Sequence, residues 1–334
     1  MDELRAEMFQ VAVGYWLSKA LFCAAKSDIA DQLEAGPKPV DELASAAAVD
    51  SENLYRVLRA LASIGIFEET KPGIMSLTPK AEYLRANHPQ SMKHFALMVG
   101  DDLFDVWSDL DHAVQTGRSA VEKRFGRDFF SEIANDLQKS AVFDRAMQEI
   151  HGGETQLMLA HYDFSQHSKI LDVGGGNGST LRQILEAHGH LSAMLFDLPQ
   201  VVANAGVLLA ESDVAARIEI SSGDFFEEVP GQADCIILRH VLHDWDDAQS
   251  TTILEHSAKA LTEGGSLLIV EKVIRPGNEP SFAKLLDLNM MAIGGKERTE
   301  QQYRQLLDRA GIPLRQIHET PGPIDLIEAR HESF

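Results

Sequence analysis

The stretch Leu171-Asp172-Val173-Gly174-Gly175-Gly176-Asn177-Gly178-Ser179 decides how this chain is read. An apolar strand from Ser168 to Val173 runs into a glycine-rich turn, and Leu181, Ile184 and Leu185 then recur at helical spacing. Glycines let a backbone turn sharply and let a ligand approach its amides closely. Outward from this turn the same texture repeats. The runs HLSAMLF (190–196), RIEISS (217–222), ADCIILRHV (233–241) and GSLLIVEKVI (265–274) are short and apolar, with turn or helical segments between them. They predict an α/β domain built on a parallel sheet covered on both faces. A helix from Thr299 to Ala310, opened by the capping box Thr299-x-x-Gln302, and strand-like pieces near Leu314 and Ile324 complete it.

The strand ends carry the chemistry. Asp197, 23 residues after Gly174, closes the second strand in Phe196-Asp197-Leu198-Pro199, where a carboxylate can accept both hydroxyls of a ribose. The third strand ends in Gly223-Asp224-Phe225-Phe226: a second carboxylate able to hold an adenine amino group, beside a ring able to lie against the base. Ligands of such sheets bind outside the carboxyl ends of the strands, so three successive strand ends favour an adenosine site over a bare turn. The loop reads G-x-G-x-G with Ser179 where a dinucleotide fold prefers Gly or Ala, and a nicotinamide-dependent oxidoreductase is the main rival.

The amino-terminal part differs. In VAVGYWLSKALFCAAKSDIADQLE, Val13, Trp16, Leu17, Ala20, Leu21 and Ala24 form an amphipathic stripe. A short helix ending near Val49, a second one capped by Asp50 or Ser51 and carrying Leu54, Val57, Leu58 and Leu61, and a hairpin turning at Lys71-Pro72-Gly73 make the pattern of a winged helix. Amphipathic helices follow around Trp107, Phe130 and Phe143 to Ile150, until His151-Gly152-Gly153 interrupts them. Their surplus apolar surface suits burial against a second subunit. The expected segments are residues 1–100, 101–153 and 154–334.

Composition narrows the function classes. The 334 residues are 44% apolar and 24% charged, with a net charge of −21 that repels phosphate backbones and anionic lipid headgroups. A winged-helix regulator would have only Arg56 and Arg59, against Glu52, on its second helix, although phosphate contacts dominate DNA affinity. Neither nucleic acid nor membrane is expected as a partner. Cys23 and Cys235 are the only cysteines, too few for a disulfide framework or a thiolate zinc site. With an acidic start lacking a basic leader region and no apolar run of bilayer-spanning length, a cytoplasmic protein is expected.

Six motifs in order, LDVGGGNGS, FDLPQVV, GDFFEEVP, LRHVLHDWDD, GGSLLIVEKVI and GGKERTEQQYRQLL, resemble the S-adenosylmethionine-dependent O-methyltransferases of the plant caffeate and hydroxyindole type, with bacterial secondary-metabolite relatives. The resemblance covers nearly the whole chain. It implies a Rossmann-like methyltransferase domain behind an α-helical winged-helix dimerisation domain, and a homodimer acting on a small hydroxylated acceptor. S-adenosyl-L-methionine is the implied cofactor, S-adenosyl-L-homocysteine the product, and no metal takes part. Carried over by motif, it implies that Gly174 and Gly176 lie against the cofactor, that Asp197 takes the ribose hydroxyls, and that Leu198, Gly223, Asp224 and Phe225 surround adenine. Arg239 stands where the family often has a cofactor-contacting Lys, the same charge with a different geometry.

His243, in LRHVLHDWDD after the fourth strand, is the implied general base. An ordinary histidine pKa near 6.5 against about 10 for a phenol lets it accept a proton as the methyl bond forms. The resemblance implies that Glu271 and Glu297 hold that imidazole, with Asp244 next to it, and the capping box at Thr299 places Glu297 in the loop just before a helix. A metal site is the rival, because His240 and His243 stand three apart with Asp244, Asp246 and Asp247 nearby, but acidic residues beside a helix are more often a solvated amino-terminal turn. Phe143, Met147, Met290 and Met291 are the implied acceptor walls, and each is equally readable as ordinary core. The same fold and cofactor also serve carbon or nitrogen methylation.

Overall fold

A computed structural model describes residues 2–210 and 212–330. The chain divides into two compact units, residues 1–111 with 124–152, and residues 112–123 with 153–334. The stretch expected as a separate linker, 101–153, is therefore shared between them, and the last four residues of the expected third segment lie outside the described residues.

In the first unit, α1 (Glu3–Lys26) precedes α2 (Val40–Ala47) and α3 (Ser51–Ala62). The Asp50 side chain caps α3 by accepting from the Asn53 amide at 2.9 Å. A three-stranded sheet follows the order β1 (Lys38–Pro39), β3 (Ile74–Leu77), β2 (Phe67–Lys71), with the turn at Gly73 as expected for a winged helix. Leu43, Leu58, Leu61, Phe67 and Met75 are its buried core. Helix α4 (Lys93–Gly100) pairs with α5 (Leu137–His151) through His94 Nδ1 and Glu149 Oε1 at 2.7 Å. Helix α1 leaves Met8 (68%), Val11 (77%) and Trp16 (55%) exposed, the apolar surplus anticipated above. Its 24 residues also make it long and apolar enough, by length and composition, to cross a membrane. That corrects the expectation that no run reaches that length: charged residues cluster toward its two ends and leave the middle apolar.

The second unit holds a seven-stranded sheet of β4 (Lys169–Val173), β5 (Ser192–Asp197), β6 (Ile218–Ser222), β7 (Ala233–Arg239), β8 (Leu261–Glu271), β9 (Leu314–His318) and β10 (Asp325–Arg330). The spatial order is β6-β5-β4-β7-β8-β10-β9. Strands β4 to β8 are parallel, as expected, whereas β10 runs antiparallel to both of its neighbours. The reason is the link from His318 to Asp325, too short for the crossover that a parallel pair needs. Along β7, Ile236 and Leu238 face one core with Ile253 and Leu254, while Cys235 and Ile237 face the other with Ile184 and Leu185. Because the strand order reverses between β4 and β7, the crevice of the sheet opens at their carboxyl ends.

Candidate active site

Three neighbouring strand ends on one side of the crevice bear the glycine turn, Asp197 and Asp224. Gly174 has φ 71°, Gly176 φ 60° and Gly178 φ 75°, left-handed backbone that favours glycine. A Cβ on Gly174 would sit 2.8 Å from Val241 Cγ2, so the turn stays open only without a side chain. Asp197 Oδ2 accepts from the Gly176 amide at 2.8 Å and Oδ1 from the Leu198 amide at 2.7 Å. A carboxylate has about four acceptor positions, so each oxygen keeps one for a ligand hydroxyl. Burial raises the Asp197 pKa against the two amides that lower it. The Gly223 amide donates to the Asp197 carbonyl at 3.1 Å, which sets the third strand end beside the second. Asp224 is exposed and accepts from the Phe226 amide at 2.8 Å, and Phe225, Phe226 and Trp245 pack edge to face with centroids 4.8–6.0 Å apart. Leu198 is 40% exposed.

Beneath the turn lies a group that the sequence reading passed over. Asp172 is 1% exposed, neither carboxylate oxygen has a hydrogen-bond partner, and burial raises its pKa to about 7 despite Arg239. An unmatched buried acid beside an open glycine cradle suits a cationic ligand such as a sulfonium-bearing amino acid. Arg239 itself is held by Glu154 Oε2 at 3.2 Å and Thr180 Oγ1 at 2.5 Å, and Glu154 also meets His240 Nε2 at 2.8 Å.

On the other side of the crevice, His240 takes a left-handed backbone, φ 52°, and turns the chain out of β7 into the short helical turn Leu242–Asp244. His243 is 8% exposed, and its Nδ1 lies 2.7 Å from Glu297 Oε1. That pairing puts the Nδ1 proton toward the carboxylate and leaves Nε2 as the acceptor of the neutral ring. Nε2 is 3.6 Å from Asp244 Oδ1, beyond hydrogen-bond distance. Glu271 does not hold the ring, contrary to expectation. Strand β8 brings its fully buried carboxylate under the backbone, where Oε1 accepts from the His243 amide at 3.0 Å and Oε2 from the Tyr303 hydroxyl. Burial alone would lower the imidazole pKa, but Asp244, Glu297 and Glu271 overrule it and raise it to about 10. The ordinary value assumed from sequence is thus corrected. Burial raises Asp244 to about 7 and also raises Glu297, each opposed by His243.

The acidic run has other duties. Asp246 caps the helix Asp247–Ala260 in a capping box with Gln249, and Asp247 pairs with Lys296 and Arg298. The Thr299 capping box is present and Glu297 precedes it, as expected. A Cβ on Gly295 would come within 2.1 Å of the His243 carbonyl, which accepts from the Lys296 amide at 2.6 Å. Met290 is buried and Met291 half-buried in the helix Phe282–Ile293. Phe143 and Met147 lie in α5 of the first unit, both half-buried, with Phe143 against Phe129 and Phe130 at 5.7 and 6.3 Å. Tyr303, Arg298 and Asp287, whose Oδ1 accepts from the Glu297 amide at 2.9 Å, were missed by sequence reasoning. The signal for Tyr303 was present: a tyrosine on the buried face of an amphipathic helix needs a partner for its hydroxyl.

The chain is similar to known proteins along nearly its whole length. An O-methyltransferase dimerisation domain matches residues 9–87, and an O-methyltransferase domain matches residues 107–313. A phenazine O-methyltransferase of Lysobacter antibioticus is 40% identical over 98% of this chain and 96% of its own length. An 8-amino-8-demethylriboflavin N,N-dimethyltransferase of Streptomyces davaonensis is 32% identical over 97% of this chain and 94% of its own. The crystal structure of an O-methyltransferase from neocarzinostatin biosynthesis, in complex with S-adenosyl-L-homocysteine and 1,4-dihydroxy-2-naphthoic acid, superposes with a TM-score of 0.84 at 30% identity, covering 94% of this chain and 96% of that one. The glycine turn with its acidic neighbours and the buried histidine opposite are carried by a chain that belongs to the S-adenosylmethionine-dependent O-methyltransferase family.

Proposed function

We propose that this enzyme methylates a hydroxyl of a small aromatic or polyketide acceptor, with His243 taking the hydroxyl proton. When bound, S-adenosyl-L-methionine supplies an electrophilic methyl group. Gly174, Gly176, Asp197, Leu198, Gly223, Asp224, Phe225 and Arg239 are the residues we assign to holding it, with the open lone pairs of Asp197 as the ribose acceptors. The observation that carries the base assignment is the 2.7 Å pairing of His243 Nδ1 with Glu297. It fixes the ring, leaves Nε2 to take the proton, and steadies the imidazolium that results. Glu271 and Tyr303 act on the backbone of His243, and Asp244 adds negative charge beside the ring. Phe143, Met147, Met290 and Met291 are proposed as acceptor walls, whose rings and thioethers suit a flat ring system.

The dimerisation domain and the exposed apolar residues of α1 support a homodimer, the net charge of −21 supports an enzyme of small molecules rather than of nucleic acid or membranes, and the two lone cysteines support a reducing, cytoplasmic setting. The 32%-identical N,N-dimethyltransferase supports a second reading, amine methylation, in which a neutral amine already carries its nucleophilic lone pair and needs no base. One experiment separates the two. Labelled methyl transfer to a panel of phenols and aromatic amines is measured with the wild type and with His243→Ala, beside a calorimetric titration with S-adenosyl-L-homocysteine. The proposal expects a phenol substrate, a turnover loss of about 10²-fold or more, and nearly unchanged binding of the homocysteine product. Full turnover of His243→Ala on a phenol would sink the base assignment.

A further inference from the structure

Arg298 is fully buried and follows Glu297 directly in the chain. A guanidinium out of water needs its donors matched and its charge balanced. Here the donors go to the two sides of His243. Nη1 donates to the Leu242 carbonyl at 2.7 Å, immediately before the histidine, and Nη2 to the Trp245 carbonyl at 2.8 Å, two residues after it. Nη2 also reaches Ser250 Oγ at 3.0 Å, and that hydroxyl donates to the same Leu242 carbonyl at 3.2 Å. Asp247 Oδ1 supplies the counter-charge, 3.1 Å from Nε and 3.0 Å from Nη2. The backbone of Arg298 is itself anchored, because its carbonyl accepts from the Ile274 amide at 2.9 Å just beyond β8.

The turn Leu242–Asp244 is three residues long, too short to hold its own orientation. Its geometry is set from outside by a rigid planar fork, and the same backbone segment delivers the Glu297 carboxylate to the ring. We propose that Arg298, with Asp247 as its counter-charge, is a positioning residue for the reaction: it holds the His243 turn in the orientation that meets Glu297 and leaves Nε2 open to the acceptor. This rests on the reading of His243 as the base.

The test measures kcat, KM for the acceptor and the dissociation constant of S-adenosyl-L-homocysteine for Arg298→Lys and Asp247→Asn, each alone and combined with His243→Ala. Lysine keeps the charge but cannot span both carbonyls. Arg298→Lys is expected to lower kcat about 10- to 100-fold, with KM and product binding within about threefold. Asp247→Asn, at a side chain that is 41% exposed, gives a smaller loss of the same kind and decides the matter if Arg298→Lys fails to fold. In the His243→Ala background neither substitution lowers the residual rate further, since its effect passes through the missing ring. Losses that fall on KM or product binding, or that multiply with His243→Ala, overturn the proposal. Full turnover of His243→Ala alone overturns it together with the base assignment.

Discussion

Glu297→Gln tests the electrostatics of the site. The amide oxygen still accepts from His243 Nδ1, so the ring stays in place while one negative charge leaves. Asp244, Glu297 and Glu271 hold the His243 imidazole at about 10 although burial pushes it down, and the Glu297 carboxylate at 2.7 Å is the one in direct contact with the ring. The substitution is expected to bring the imidazole down by about 1–2 units. Because the reaction needs the neutral ring, kcat/KM of the wild type rises with pH toward about 10. In the variant that limb moves to lower pH by the same amount, and the plateau falls because a weaker base takes the proton less readily. Each unit corresponds to at most about tenfold in rate. Near pH 7 the larger neutral fraction offsets the weaker base, so the two enzymes converge there and diverge above pH 9. An NMR titration of the His243 ring in the free protein gives the shift directly, and a pH–rate profile with labelled methyl donor gives its consequence. A wild-type midpoint between 6 and 7, or the same midpoint in both proteins, would refute this account.

Other substitutions probe the remaining parts. Asp197→Ala removes the proposed acceptor of two ribose hydroxyls and is expected to weaken S-adenosyl-L-homocysteine by about 100-fold, read by calorimetry; an unchanged constant takes Asp197 out of the site. Gly295→Ala puts a methyl 2.1 Å from the His243 carbonyl and, by pushing the turn aside, is expected to cost about 10²-fold in kcat with product binding kept, as steady-state kinetics will show. Asp172→Asn concerns stability without ligand. The folded state keeps the Asp172 proton to about pH 7 while the unfolded chain loses it near 3.8, so the cost of ionising it is absent below pH 4, grows between 4 and 7, and is complete above. That amounts to at most about 4 kcal/mol at pH 8. Urea melts should show the variant ahead of the wild type at pH 8 and the two level at pH 4; a constant difference across pH would contradict the assignment.

The fold was legible where periodicity and glycine spacing speak. The strand of Lys169–Val173 ending in its glycine turn, the Asp50 cap and the hairpin at Gly73 are local patterns, and each forms where its residues dictate. The direction of Asp325–Arg330 was not legible, because it follows from the length of a connection rather than from the strand itself. In the site, Glu297 was reachable through the capping box beside it, whereas what Glu271 touches depends on where β8 ends relative to an amide 28 residues earlier. Arg298 and Asp172 left no trace because nothing in the sequence marks a charge as buried. The His243 pKa was misjudged for the same reason, since three carboxylates converge on it from separate segments.

The left-handed backbone at His240 carries a consequence for how tolerant this protein can be of heat. A residue with a side chain pays about 1–2 kcal/mol for that conformation, and here the cost falls at the bend from which the chain leaves the sheet for the His243 turn. Selection for heat resistance alone would favour a straighter path there, since glycine would relieve the strain only by giving up the ring that meets Glu154. Selection for turnover would keep it. The position is therefore one where durability and speed pull in opposite directions, and changes that make this enzyme hardier without slowing it are better sought away from the bend.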